Sequence, residues 1–192
     1  MAQQGMRSFE MTEVVAKGLD DVTILDPGEA ISAEYLYWVG CAGSFDDKNK
    51  KVTQAMAKLL KRAGIEVAIL GPSEMCTGDS ARRSGNEYLF QMLAMPNIEM
   101  LDGMGVKKII TQCPHCFNTL KNEYPQLGGN YEVVHHTQLL ENLIGTGQLD
   151  VAGRYLRVLD SLITENSGTL VMTTPGGLVE ASGDAHFRGG ST

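Results

Sequence analysis

The 192-residue chain is 43% apolar, enough in length and composition for one domain with a full core. Sixteen basic against twenty-three acidic side chains leave a net charge of −7, which opposes phosphate-dominated binding to nucleic acid. No stretch approaches the roughly 18 to 20 apolar residues of a membrane-crossing helix. The polar, acid-bearing N-terminus is not a secretory signal, and the expected location is the cytoplasm.

Residues 1–33 have weak periodicity and one strand-like run, 22–25 (VTIL), which the turn-rich 26–29 (DPGE) stops. They read as an approach segment or linker. Organisation tightens over 34–150. Residues 35–39 (YLYWV) are apolar throughout and read as a buried strand ending at Gly40. Residues 40–44 (GCAGS) read as a small-residue turn. Asp46 or Asp47 is placed to cap a helix in which Val52, Ala55, Met56, Leu59 and Leu60 share a face, and Gly64 ends it. Residues 65–70 (IEVAIL) form the second predicted strand, followed by Gly71-Pro72 and a loop carrying Cys76. Asp79 or Ser80 caps a helical region over 81–95, where Pro96 forces a break or restart. Residues 106–111 (VKKIIT) are the third strand. A helix from Cys113-Pro114-His115-Cys116 to about Asn122 follows, ended by Tyr124-Pro125. Residues 131–134 (YEVV) are the fourth strand, with His135 and His136 at its end before a helix over 138–144. Beyond Gly145 the pattern weakens to a helix over 151–163, a strand over 169–173 and a glycine-rich end expected to be disordered. Residues 151–192 are therefore expected as a divergent, partly disordered segment.

Strands alternating with helix-length connections predict an α/β fold: three layers, a mostly parallel sheet flanked by helices, in a Rossmann-like topology. All four cysteines then matter together. Cys41, Cys76 and the pair Cys113/Cys116 each follow a predicted strand, so they should meet at the carboxyl edge of the sheet, where open α/β folds bind ligands. Four thiols without a secretory signal favour metal ligation or redox chemistry over structural disulfides. Iron–sulfur clusters and zinc both take four thiolates. Three readings stay open: a cluster, a structural or interaction module built on zinc, and thiol–disulfide exchange through Cys113 and Cys116. No G-x-G-x-x-G follows a strand, so that signature of a flavin or nicotinamide site is missing.

The texts Y-W-V-G-C-A-G, C-T-G-D-S-A-R-R-S-G-N-E, T-Q-C-P-H-C-F-N-T-L-K-N-E-Y-P and V-V-H-H-T-Q-L-L carry a resemblance. Over about 34–145 the chain resembles the cysteine-rich CCG domain of heterodisulfide reductases and of related iron–sulfur proteins, and still more the actinobacterial iron–sulfur-binding reductases. The resemblance implies an iron–sulfur component of an oxidoreductase, a subunit or fragment that passes electrons between partner redox centres. Cys41, Cys76, Cys113 and Cys116 would hold one [4Fe–4S] cluster. The implied partners are other redox domains or subunits, ferredoxin-like, flavin-bearing or membrane components, with the chain at the cytoplasmic face of such a complex. Two departures stand out. Thr77 occupies the place beside Cys76 where the family often has a fifth cysteine. The second copy of the motif that family members usually carry is not found after Gly153, which suggests a fragment or a half-module.

Around the cysteines, Thr77, Arg82, Arg83, His115, His135 and His136 are candidates for an outer ring. The arginines would offset thiolate charge, and are otherwise solvated first-turn residues. His115 would tune the site by hydrogen bonding. His135 and His136 lie on the same sheet edge, with a capping or core role as the alternative. Trp38 reads as core, and Asn86-Glu87 as capping or packing.

Overall fold

The computed structural model describes residues 22–26, 28–149, 170–174, 177–181 and 187–189. Five parallel strands form one sheet: β1 (Thr23–Ile24), β2 (Tyr35–Trp38), β3 (Val67–Ile69), β4 (Lys108–Thr111) and β5 (Glu132–His135), in the order β1-β3-β2-β4-β5. The central strand β2 is buried along its whole length, which explains why 35–39 read as apolar without alternation. β1 lies within the segment expected to be a linker. It pairs Thr23 with Ala68 and Ile24 with Ile69, and Leu25 N–H continues the ladder to Ile69 O at 2.9 Å.

Helices cover both faces. Leu36, Trp38, Ala68, Leu70 and Ile109 pack with Phe90, Ala94, Ile98 and Leu101 of α4 (Glu87–Gly103). The opposite face presents Tyr37, which reaches through Gln112 to Thr53 of α2 (Asp47–Arg62). Asp46 caps α2, its Oδ1 accepting from Lys48 and Asn49 N–H. The inward stripe of α2 is Thr53, Met56, Ala57 and Leu60, one step round from the predicted face, and Val52 is 41% exposed. Thr53 turns inward because its hydroxyl is a partner of the buried Gln112 amide.

Several boundaries differ from expectation. The turn predicted over 40–44 is a short helix, α1 (Gly40–Phe45). The region 81–95 breaks early, not at Pro96. It comprises α3 (Asp79–Arg83) and then α4, separated by Gly85 at φ +79° and capped by Asn86, whose side chain accepts from Leu89 N–H. Pro96 stays inside α4 on its exposed side, with exposed Met92 one turn earlier, where water can take up the carbonyl that proline leaves without a donor. The helix after Cys113 is α5 (Pro114–Asn118), continued by a widened turn (Thr119–Glu123) and a tight one (Tyr124–Leu127). The last strand of the sheet ends at His135, and α6 (His136–Gly145) starts at once.

The chain divides into two units, Met1–Leu149 and Asp150–Thr192. In the second, β6 (Leu170–Thr174), β7 (Gly177–Ala181) and β8 (Phe187–Gly189) form an antiparallel sheet; β6 falls on the strand expected over 169–173, while β7 and β8 lie within the glycine-rich end expected to be disordered. The helix predicted over 151–163 lies outside the described residues. Among the described residues no helix is long and apolar enough to cross a membrane.

Candidate metal centre

The three segments that follow β2, β3 and β4 meet at the carboxyl edge of the sheet and line one cavity of about 250 Å³ with all four cysteines. β2 and β4 remain paired to Trp38 and Thr111, which delivers Cys41 and Cys113 side by side. Cys41 sits in the first turn of α1 and is exposed, whereas Cys116, in α5, is 5% exposed. Gly40 stands between them at φ +74°. A Cβ there would lie 3.3 Å from Cys116 Sγ and 3.9 Å from Cys113 Cβ, so only glycine leaves this side of the cavity open.

Cys76 is held by its backbone. Asn97 Nδ2 donates to Cys76 O at 3.0 Å, Tyr124 Oη donates to Thr77 O at 3.2 Å, and Gly78 N–H points at Cys76 Sγ at 3.4 Å. Gly78 takes φ +88° against Phe90, where a Cβ would stand 2.9 Å from the ring. Glu74 completes the loop: it is 5% exposed, and its Oε1 and Oε2 accept from the backbone N–H groups of Gly40 (2.6 Å) and Val39 (3.0 Å). Burial pushes its carboxyl up to about 7 against the pull of those two amides.

The thiols are strongly unequal. The Cys116 thiol donates to Cys113, whose sulfur also faces the Cys116 and His115 backbone N–H groups, so Cys113 loses its proton well below the ordinary thiol range. As the buried donor of that pair, Cys116 is held far above it. Burial raises Cys41, and the neighbouring Cys76 and Cys113 add to that. In metal-free protein, iodoacetamide at about pH 6.5, two units below an ordinary thiol, should therefore label Cys113 before Cys41. Peptide mapping by mass spectrometry reads the order, and Cys41 reacting first would contradict it.

Of the predicted outer residues, Thr77 and His115 line the cavity. Thr77 is 2% exposed, with its hydroxyl 3.9 Å from Cys116 Sγ. His115 is largely exposed and directs Nδ1 to Asp79 Oδ2 at 3.1 Å, while Asp79 Oδ1 accepts from Thr119. Arg82 and Arg83 do not line the cavity. Arg82 lies over the Phe90 ring and bonds Gln126, and both arginines pair with the buried Glu123. His135 and His136 do not line it either. His135 Nε2 bonds the carbonyl of Gln112, next to Cys113, with Nδ1 on Thr137 Oγ1. Burial and the adjacent His135 hold His136 below its ordinary value. Trp38 is core as expected, fully buried, and also forms part of the cavity wall.

Sequence reading missed Glu74, Asn97 and Tyr124. Glu74 left one signal, a lone acid in the loop two residues before Cys76. Asn97 and Tyr124 left none, because each acts on a backbone carbonyl that is remote in sequence.

The donor set fits an iron–sulfur cluster: four cysteines around one cavity, which Gly40 keeps open, could supply the four thiolates such a cluster takes.

Residues 35–121 match the family described as CCG, cysteine-rich domain. This stretch belongs to that family. The chain is 50% identical over 133 residues to the EtfAB:quinone oxidoreductase of Syntrophomonas wolfei, covering 69% of this chain and 19% of that protein. It is 50% identical over 116 residues to the probable iron-sulfur-binding oxidoreductase FadF of Bacillus subtilis, covering 60% and 16%. With one component of the dihydromethanophenazine:CoB--CoM heterodisulfide reductase of Methanosarcina acetivorans it shares 31% over 150 residues, covering 75% and 34%. The chain thus spans between 16% and 34% of the length of these three relatives. No solved structure matches it.

Proposed function

We propose that the CCG domain of this chain is an iron–sulfur component of an oxidoreductase. Cys41, Cys76, Cys113 and Cys116 bind one [4Fe–4S] cluster and the domain passes electrons between partner redox centres. The observation that carries this reading is the convergence of four cysteines, from three strand ends, on one cavity within the matched family stretch. The iron–sulfur and oxidoreductase names of the relatives support it.

When bound, the cluster supplies one-electron chemistry at the sheet edge. The chain's own residues set its surroundings. Cys113, which loses its proton well below the ordinary thiol range, would hold the cluster as a ready thiolate, whereas the buried Cys116 would have to give up its proton to do so. Cys41 lies on the exposed side, where a partner centre comes nearest. The partners are further redox modules, ferredoxin-like, flavin-bearing or membrane components, met at the cytoplasmic face of a membrane complex. Anaerobic reconstitution with iron and sulfide tests the proposal. The expected product has about four irons and four sulfides per chain, a brown visible spectrum, and a paramagnetic resonance signal on one-electron reduction or oxidation. A colourless protein holding one zinc per chain would overturn it.

A further inference from the structure

Glu74 belongs to none of the ligand motifs, yet it occupies an unusual place. Its carboxylate is almost fully buried, and among the described residues no cation pairs with it. Burying a carboxylate is costly unless its oxygens are bonded, and here both are, to the backbone N–H groups of Val39 and Gly40. These amides open α1, a six-residue helix whose own cap position, Val39, offers no side-chain acceptor. The partner comes from another loop.

Sheet pairing explains why this matters. β2 and β4 stay paired up to Trp38 and Thr111, so the Cys41 and Cys113 segments leave the sheet together. The pairing of β2 with β3 ends earlier, at Leu36 and Ala68. Beyond that point the segments carrying Cys41 and Cys76 are joined, among the described hydrogen bonds, by the two that Glu74 accepts. Glu74 lies two residues before Cys76, and the amides it holds lie one and two residues before Cys41.

We propose that Glu74 is a positioning residue of the cluster site, a carboxylate clasp that sets the placement of the Cys41 helix against the Cys76 loop. The role rests on the iron–sulfur reading above and extends it to a residue outside the cysteine pattern. Asn97 and Tyr124 anchor the far side of the same loop through the carbonyls of Cys76 and Thr77. The loop is therefore pinned on both sides, and Glu74 provides the side that faces Cys41.

Glu74→Gln and Glu74→Ala, compared with wild type before and after anaerobic reconstitution, test this. Gln keeps one acceptor and Ala keeps none. In the metal-free proteins, hydrogen exchange at the Val39 and Gly40 amides should be about tenfold faster in Glu74→Ala, with Glu74→Gln between it and wild type. After reconstitution, iron retention against a chelator should fall about tenfold or more in Glu74→Ala. Glu74→Gln should load, with a paramagnetic resonance spectrum altered from wild type. Should Glu74→Ala fail to fold, Glu74→Gln alone decides. Wild type that takes up no cluster overturns the iron–sulfur reading itself. Wild type that loads, with folded variants matching it in exchange, retention and spectrum, overturns the role of Glu74 and leaves that reading intact.

Discussion

Cys116→Ser protein, reconstituted without oxygen, should keep less than about one iron per chain where wild type keeps about four. Cys116 is the buried corner of the cavity, 5% exposed and enclosed by Thr77 and the bare Cα of Gly40. Serine oxygen is a poorer, harder ligand for iron than thiolate, and the closed surroundings admit no exogenous replacement. The fold itself should survive, since the exchange is nearly isosteric and the serine hydroxyl can still donate to Cys113. Cys41→Ser should be milder, because Cys41 is exposed and solvent or an added thiol can take its place. Iron and sulfide assays beside far-ultraviolet circular dichroism read both proteins. Full iron retention in Cys116→Ser, or a greater loss in Cys41→Ser, would refute the assignment of the buried ligand.

Gly43→Ala should destabilise the metal-free protein by about 3 kcal/mol. Gly43 lies on the inner side of α1, and a Cβ there would stand 2.6 Å from Gln112 Nε2, 2.8 Å from Thr53 Oγ1 and 2.8 Å from Val39 Cγ1. All three neighbours are packed. Gln112 is held between the Tyr37 hydroxyl (2.7 Å) and Thr53 (2.8 Å), so making room breaks a buried hydrogen bond as well as crowding the core. Thermal unfolding should fall by roughly 6 to 12 °C for that loss. The same push moves α1, with Cys41 in it, and acts on the residue before Cys113. Gly43→Ala should therefore load iron less completely than Gly103→Ala, whose added Cβ meets nothing within 4 Å and whose backbone is not left-handed. Equal melting temperatures and equal loading would refute the close seat of α1.

The parallel sheet was legible because strands buried on both faces write uninterrupted apolar runs, as in 35–39, and because glycines end the elements between them. The convergence of the cysteines was legible for a related reason: a loop after a parallel strand has one edge to go to. What failed to register were positions whose roles depend on remote partners. Thr53 is absent from the predicted stripe of α2, yet it is an inward residue, because Gln112 bonds it from 59 positions away. Arg82 and Arg83 looked free to face the thiols, but Glu123, far along the chain, takes both.

By itself, then, the sequence determined the alternation of strand and helix, the family of the domain and the four cysteines at strand ends. The alternation and the cysteine placement follow from local period, glycine placement and thiol spacing, and the family from the texts that surround the cysteines. Tertiary structure alone decided which surrounding groups belong to the site. Glu74, Asn97 and Tyr124 act through hydrogen bonds to backbone atoms, and any residue type presents those atoms, so no pattern of side chains could announce the partners. The inequality of Cys113 and Cys116 has the same origin. It arises from burial and from the direction of one thiol proton, which appear only when α5 closes over the end of β4.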